Sequence, residues 1–160
     1  MSEIARERFD AMAAKLKASG LKSTPQRLAI MKMLAESEGH PSAEEIRASL
    51  RRRFPGISQA TVYRTIQLAK SLGEAYEIAF AGKSSRYDGR RPQPHPHIVC
   101  LDCGRIVDPE LRSLGDMTRE VAAASGFAIT TFRLDFFGLC PACGKKKKSL
   151  KKTYKHRREK

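Results

Sequence analysis

The chain has 160 residues and a formal net charge of +14. This length is sufficient for one or two small domains, each with its own hydrophobic core. No apolar run approaches the roughly 18 residues that a membrane-spanning helix needs, so no membrane partner is predicted. The N-terminus is charged and lacks the apolar segment of a secretory signal, and we therefore expect a cytoplasmic protein.

Most of the charge lies at the C-terminus, where residues 145–160 carry ten Lys or Arg and one Glu, a net charge of +9. Runs of like charge favour disorder, which predicts a basic disordered tail over 145–160. Two roles remain open for this tail. It is either a solvated segment that aids solubility, or a source of non-specific attraction to phosphate.

Three helices are predicted in the first part of the chain. Helical spacing of apolar residues runs over 3–18 and ends at Gly20. A second helix begins at Ser23-Thr24-Pro25, which supplies an N-cap and a proline in the first turn. A third begins at the capping box Ser42-Ala-Glu-Glu45 and is predicted to reach Phe54.

A fourth helix begins after the cap residue Ser58 and ends at Gly73, with an apolar stripe facing the core. Its opposite face carries polar side chains that can contact bases and phosphates, among them Thr61, Tyr63 and Arg64. An ordinary solvated helix face has a similar composition. The residues that follow decide between these interpretations.

Alternating residues from Tyr76 to Phe80, a turn at 81–84 and a return strand ending at Asp88 predict a β-hairpin. Helices closed by such a hairpin form a winged helix-turn-helix, a fold that binds DNA. Basic side chains in this half fit a surface that faces phosphate: Lys22, Arg27, Arg51, Arg52, Arg53 and Arg64.

All four cysteines lie in two C-x-x-C pairs, Cys100/Cys103 and Cys140/Cys143. Two thiolates from each turn can complete a tetrahedral shell, which predicts a closed structural zinc site without catalytic function. There are two alternatives. Disulfides suit a secreted chain, and free buried thiols would have no reason to lie in two matched turns. The glycines that follow, Gly104 and Gly144, predict tight turns with positive φ.

A second set of candidate ligands combines imidazoles and carboxylates. His95 and His97 are two apart in an extended segment and so share one face. Asp88 ends the predicted hairpin, Asp108 ends a short strand, and His40 precedes the Ser42 capping box. A set of nitrogen and oxygen ligands is better suited to Fe(II) or Mn(II) than a set of four thiolates is. Ligands from both halves would couple metal binding to closure of a hinge.

The chain continues with a predicted helix over 111–125 and a strand over 127–137. Short strands around one helix leave unpaired edges, which favours a homodimer with a shared sheet. We predict an α+β fold with a winged helix-turn-helix domain (1–83) and a small α/β dimerisation domain with a four-cysteine zinc site (84–144).

These motifs, in this order, resemble those of the ferric uptake regulator (Fur) family over about residues 10–144. The residues that carry the resemblance are Gly20-Leu-Lys-Ser-Thr-Pro-Gln-Arg27, His40-Pro-Ser-Ala-Glu-Glu, Ala60-Thr-Val-Tyr-Arg64, Arg86-Tyr-Asp88, His95-Pro-His97, Cys100-Leu-Asp-Cys103-Gly-Arg-Ile-Val-Asp108 and Gly138-Leu-Cys140-Pro-Ala-Cys143. The family comprises dimeric, metal-dependent transcriptional regulators that bind A/T-rich palindromic operators.

The resemblance implies a role for each matched residue. It assigns Cys100, Cys103, Cys140 and Cys143 as ligands of structural zinc. It assigns His40, Asp88, His95, His97 and Asp108 as ligands of the regulatory Fe(II) or Mn(II). It assigns operator contacts to Lys22, Tyr63 and Arg64. Arg27 and Thr61 are predicted as further DNA-binding residues from the chemistry of their side chains.

Aspartate at both 88 and 108 resembles the peroxide-sensing branch, because iron-uptake regulators usually have glutamates at these places. In that branch bound Fe(II) reacts with peroxide and oxidises a ligand histidine, here His40 or His95. The alternative is an iron- or manganese-responsive uptake repressor that does not sense peroxide. An accessory metal site of many relatives is predicted to be absent, since Pro94, Pro96 and Phe132 occupy its places.

Two other classes of function fit the sequence less well than a repressor does. In a hydrolase the His/Asp cluster would activate water, but no separate acid–base pair is evident, and we predict that the chain is not an enzyme. An RNA-binding zinc module would need stacking aromatic side chains. The chain has no Trp, which disfavours that interpretation.

Overall fold

The computed structural model describes residues 2–79 and 84–146, which form two compact units that divide between Gln93 and Pro94. The elements of the first unit are α1 (Glu3–Ala18), α2 (Pro25–Glu36), α3 (Ala43–Leu50), α4 (Gln59–Ser71), β1 (Tyr76–Ile78) and β2 (Arg86–Asp88). Those of the second are β3 (His97–Cys100), β4 (Ile106–Val107), α5 (Leu114–Ser125) and β5 (Asp135–Gly138). No described helix is long and apolar enough to cross a membrane.

The helices of the first unit begin where the sequence predicts. The side chains of Thr24, Ser42 and Ser58 each accept a hydrogen bond from a backbone N–H of the first turn, and the capping box of α3 is complete. However, α3 ends at Leu50 rather than at Phe54. Because a proline follows Phe54, the helical conformation is disfavoured there, and residues 51–53 form a turn instead.

The core of the first unit forms where the apolar stripes of its four helices meet. Its fully buried side chains are Met12 and Leu16 of α1, Ile30, Met31 and Leu34 of α2, Ile46 of α3, and Val62 and Ile66 of α4. Burial of each large aliphatic side chain contributes about 1.5–3 kcal/mol. This core fixes α3 and α4 against each other, as a helix-turn-helix requires.

The predicted hairpin is confirmed by antiparallel pairing of β1 with β2, in which Tyr76 lies opposite Asp88. Its connecting turn, predicted at 81–84, falls mostly on residues outside those described. The Tyr87 N–H also donates to the Pro41 carbonyl at 3.1 Å, which ties β2 to the residues before α3. The hairpin therefore belongs to the first unit, whereas the predicted domain boundary after residue 83 falls between its two strands.

The second unit is a three-stranded sheet of order β4-β3-β5, with β3 and β5 parallel. Two of its elements are shorter than predicted, since α5 begins at Leu114 after a turn and β5 covers only Asp135–Gly138. A strand is regular only where a neighbour pairs with it. Of the predicted strand over 127–137 and its continuation to Gly138, only residues 135–138 pair with β3. Of the predicted tail, residues 147–160 lie outside the described residues.

One face of this sheet exposes apolar side chains. Val107, Ile98 and Phe136 are neighbours on adjacent strands, and each is between 42% and 47% exposed. Helix α5 also has no buried residue. A contiguous exposed apolar surface of this kind marks an interaction site.

Gly89 provides a test of the packing in the first unit. A Cβ atom at this position would lie 2.6 Å from the Cβ of buried Leu34. Because side chains are close-packed there, we expect Gly89→Ala to lower the free energy of unfolding by about 1–3 kcal/mol, measured by urea denaturation. Gly56→Ala is the matched control, since its Cβ would have no neighbour within 4 Å. Equal stability of the two variants would contradict this packing.

Candidate metal centres and nucleic-acid interface

The four cysteines lie together at one edge of the second unit. Parallel pairing places Cys100, at the end of β3, opposite Gly138, two residues before Cys140. The four Sγ atoms lie within 4.8 Å of one another, and those of Cys103 and Cys140 are 3.8 Å apart. A tetrahedral zinc with bonds of about 2.3 Å places its sulfur ligands about 3.8 Å apart, so this geometry fits zinc. All four cysteines are free of disulfides.

The two cysteine pairs differ in backbone conformation. Gly104 has a φ of +75° and its N–H donates to the Cys100 carbonyl at 2.9 Å, as the sequence predicts for a tight turn. The prediction for Gly144 is wrong. Residues 141–146 are helical, and the Gly144 N–H donates to the Cys140 carbonyl in helical fashion. Cys143 is therefore presented by a helical turn.

The surroundings of the thiols prepare this site for a cation. The Cys140 N–H donates to Cys100 Sγ at 3.3 Å, and such hydrogen bonds lower the pKa of Cys100 to about 6. The pKa of Cys143 is raised, first by the neighbouring Asp102 and then by the other cysteines. A bound metal ion deprotonates its thiol ligands outright and offsets this crowding of negative charge.

In the first unit, His40 and Asp88 form a buried pair, with His40 Nε2 3.5 Å from Asp88 Oδ2. Asp88 Oδ1 accepts hydrogen bonds from the N–H groups of Arg90 and Arg91 at 2.8 and 2.9 Å, which turns Oδ2 toward the histidine. His40 has a φ of +51°, the only positive value among described residues other than glycine. Such strained conformations cluster at functional sites.

In the second unit, His95 and His97 converge on Asp108. The Nε2 atoms of the two histidines lie 3.6 and 4.0 Å from the oxygens of this carboxylate, and the ring centroids are 4.4 Å apart. Neighbouring ligand atoms around an ion at about 2.1 Å are roughly 3.0–3.4 Å apart. These groups therefore need to close by about 0.2–1.0 Å to reach this spacing. Imidazole and carboxylate donors suit Fe(II) or Mn(II).

Asp135 is a residue of this region that sequence reasoning missed. It lies opposite His97 in the β3–β5 register, and its Oδ1 is 3.4 Å from His97 Nδ1. Its side chain is only 7% exposed. Metal-bound histidines commonly donate their second ring N–H to a carboxylate, which fixes the tautomer. An acidic residue within the apolar run 134–137 is a signal that could have identified it.

Four of the five predicted DNA-binding residues line one groove in the first unit: Lys22, Arg27, Thr61 and Arg64. Arg27 donates to the Lys22 carbonyl at 2.8 Å, which fixes the start of α2 at this groove. Tyr63 does not line the groove. It lies on the exposed face of α4, and its hydroxyl donates to Glu44 at 2.9 Å. The groove therefore presents the cationic side chains of Lys22, Arg27 and Arg64. The part of α4 that carries Tyr63 forms a separate polar face.

A comparison with known families identifies the class of protein. Residues 18–137 match the model of the ferric uptake regulator family. The chain therefore belongs to this family of metal-responsive transcriptional regulators, which are not enzymes. The family assignment and the α+β fold predicted from the sequence are both confirmed.

Individual relatives cover most of the chain. It is 37% identical over 130 residues to the peroxide-responsive repressor PerR of Staphylococcus epidermidis. The matched region covers 81% of this chain and 86% of that protein. The Vibrio cholerae ferric uptake regulator is 32% identical, with a TM-score of 0.67 over 78% of this chain and 96% of that one. The Campylobacter jejuni peroxide stress regulator is 29% identical, with a TM-score of 0.68 over 80% of this chain and 96% of that one. The fold is thus similar to that of regulators named for iron and for peroxide.

We expect Asp135→Ala to weaken Mn(II) binding by zinc-loaded protein roughly 10- to 100-fold, because His97 would lose the acceptor that orients its ring. Asp135→Asn retains an acceptor oxygen and should lose less. Isothermal titration calorimetry measures both. The control is Asp116→Ala, which removes an exposed carboxylate of the same unit. If Asp135→Ala and Asp116→Ala bind Mn(II) equally well, Asp135 does not orient His97.

Proposed function

We propose that this protein is a metal-dependent, DNA-binding transcriptional repressor that senses peroxide through Fe(II)-catalysed oxidation of a histidine. The observation that carries the proposal is the division of the nitrogen and oxygen donors. His40 and Asp88 form a pair in the first unit, and His95, His97 and Asp108 form a cluster in the second. Neither group alone fills an octahedral shell. We propose that they are two parts of one regulatory Fe(II) or Mn(II) site.

A shared ion would make the arrangement of the two units depend on metal. An ion that binds all five ligands favours whichever conformation brings them together, in proportion to its differential affinity for that conformation. The ligands adjoin elements that belong to the DNA-binding fold: His40 directly precedes Pro41 and α3, and Asp88 ends the wing strand β2. Metal binding would therefore determine how the winged helix is presented to an operator.

We propose that the protein works as a homodimer on an A/T-rich palindromic operator in the cytoplasm. The exposed sheet face of Ile98, Val107 and Phe136 suits an apolar contact with a second copy. A two-fold dimer matches a palindrome, since each winged helix then binds one half-site. Lys22, Arg27 and Arg64 would contact phosphates, while Thr61 and Tyr63 would lie at base edges.

The peroxide branch is supported by the two aspartates and by the relatives. Aspartate is one methylene shorter than glutamate, so Asp88 and Asp108 can leave an iron position open to peroxide. The relative at 37% identity is named for its response to peroxide. His40 and His95 are the proposed sites of oxidation, after which the metal would be lost and the operator released. The alternative is an iron- or manganese-responsive uptake repressor that survives peroxide.

The test is operator binding by zinc-loaded protein with Fe(II) under anaerobic conditions, before and after stoichiometric peroxide. We expect Fe(II) to promote binding and peroxide to abolish it, with a mass increase of one oxygen atom on His40 or His95 by peptide mass spectrometry. The Mn(II)-loaded protein is the matched control and should retain binding after peroxide. Fe(II)-dependent binding that peroxide leaves intact would reject peroxide sensing and favour the uptake repressor.

The variant His97→Ala distinguishes the role of the proposed regulatory site from that of the zinc site in the same assay. This variant should retain one zinc per chain and the wild-type far-ultraviolet circular dichroism spectrum, because His97 is not a cysteine-site ligand. It should lose the stimulation of DNA binding by Mn(II). Wild-type operator affinity in the presence of Mn(II) would reject the proposed regulatory site while leaving the zinc site intact.

A further inference from the structure

Glu44 connects the first turn of α3 to the exposed face of α4. Its Oε1 accepts one hydrogen bond from the Tyr63 hydroxyl at 2.9 Å and another from Gln59 Nε2 at 3.3 Å. Tyr63 and Gln59 are one helical turn apart and so lie on the same face of α4. One carboxylate therefore restrains two neighbouring side chains on the face that carries Tyr63.

The cap of α3 does not require this carboxylate. Ser42 and Glu45 complete the capping box between them, and Glu45 also pairs with Arg86 of the wing. Glu44 is exposed, so it does not stabilise the core either. A negative charge beside a DNA-binding surface repels phosphate and lowers overall affinity. Glu44 also forms side-chain hydrogen bonds with Ser42 and Ser84 and interacts modestly with the helix dipole. Its two contacts on α4 are the hydrogen bonds that hold Tyr63 and Gln59.

The ionisation of the pair fixes the direction of the hydrogen bond. The hydrogen bond to Glu44 raises the pKa of the Tyr63 phenol above its usual value. The pKa of Glu44 is lowered, first by a backbone hydrogen bond at its own N–H and then by Tyr63. At neutral pH the phenol is therefore the donor and the carboxylate the acceptor. The phenol oxygen keeps its capacity to accept a hydrogen bond, and Tyr63 is exposed.

We propose that Glu44 is a specificity-determining residue that acts through Tyr63, by accepting the hydrogen bond from its hydroxyl so that the phenol oxygen presents an acceptor to base edges. An acceptor selects the amino groups of adenine and cytosine in the major groove and disfavours the carbonyl oxygens of thymine and guanine. This inference rests on the proposed function, because it requires that α4 lies against DNA. Glu44 itself touches no base and is a positioning residue.

Four variants separate this role from a simple effect of charge: Glu44→Ala, Glu44→Gln, Tyr63→Phe and the double variant Glu44→Ala/Tyr63→Phe. The measurement is Mn(II)-dependent affinity, at fixed salt, for the operator and for operators with one A·T pair at a time reversed. Glu44→Ala should lower the preference for the true operator roughly threefold to tenfold, the range expected for one hydrogen bond. Glu44→Gln should retain most of it, because its amide oxygen still accepts.

Both Glu44 variants should bind an unrelated duplex more tightly, since each removes a negative charge. In the Tyr63→Phe background, Glu44→Ala should cause no further loss of preference. Equal preference in Glu44→Ala and Glu44→Gln would reject the positioning role, as would a loss that persists without the Tyr63 hydroxyl. Circular dichroism checks that α3 remains folded in each variant.

A second readout needs no DNA. The phenol of Tyr63 should titrate at lower pH in Glu44→Ala than in wild type, by ultraviolet difference spectroscopy, and Tyr63→Phe assigns the transition. An unchanged midpoint would overturn the proposal. Failure of the proposed function and failure of the role of Glu44 give different results. Absence of wild-type operator binding in every metal state rejects the proposed function, whereas binding with unchanged preference in Glu44→Ala rejects only the role of Glu44.

Discussion

The parallel pairing of β3 with β5 is the interaction on which the second unit depends. It places Cys100 and Cys140 at one edge of the sheet, where Cys103 and Cys143 join them. Apart from cysteines, Pro96, Val99 and Ile106 are the only apolar side chains buried among the described residues of this unit. So small a core cannot order a domain on its own, and a structural metal commonly supplies the missing free energy. A zinc ion held by the four cysteines would supply this stabilisation.

The same strand pair also positions the second set of donors. His97 begins β3 and faces Asp135 across the pairing, while the antiparallel strand β4 leads directly into Asp108. The cysteines and the donors His95, His97 and Asp108 thus share one short sheet, with the sulfur donors at or beyond the ends of its strands β3 and β5 and the imidazole and carboxylate donors near the start of β3. Softness of the donors separates the two ions, because thiolates select zinc and mixed nitrogen and oxygen donors suit iron or manganese. In our proposal one ion is architectural and the other is exchangeable.

Sequence reasoning predicted the features that depend on local chemistry. The caps at Thr24, Ser42 and Ser58 follow from side chains that satisfy their own helix termini, and the cysteine spacing needs little context. Features that depend on tertiary partners were less accessible. The start of β5 depends on where β3 offers pairing, and the helix that carries Cys143 overrides the glycine that follows it. Asp135 was missed because its significance arises only from a strand that is distant in sequence.

Regulation by metal, as proposed, requires that the ligand groups of the two units bind one common ion. The most direct measurement is pulsed electron paramagnetic resonance of Mn(II) bound to zinc-loaded protein, which counts imidazole nitrogens on the metal. The account predicts three such nitrogens in wild type, from His40, His95 and His97, and the loss of one in His40→Ala. A spectrum with only two imidazoles, unchanged in His40→Ala, would contradict a site shared by both units.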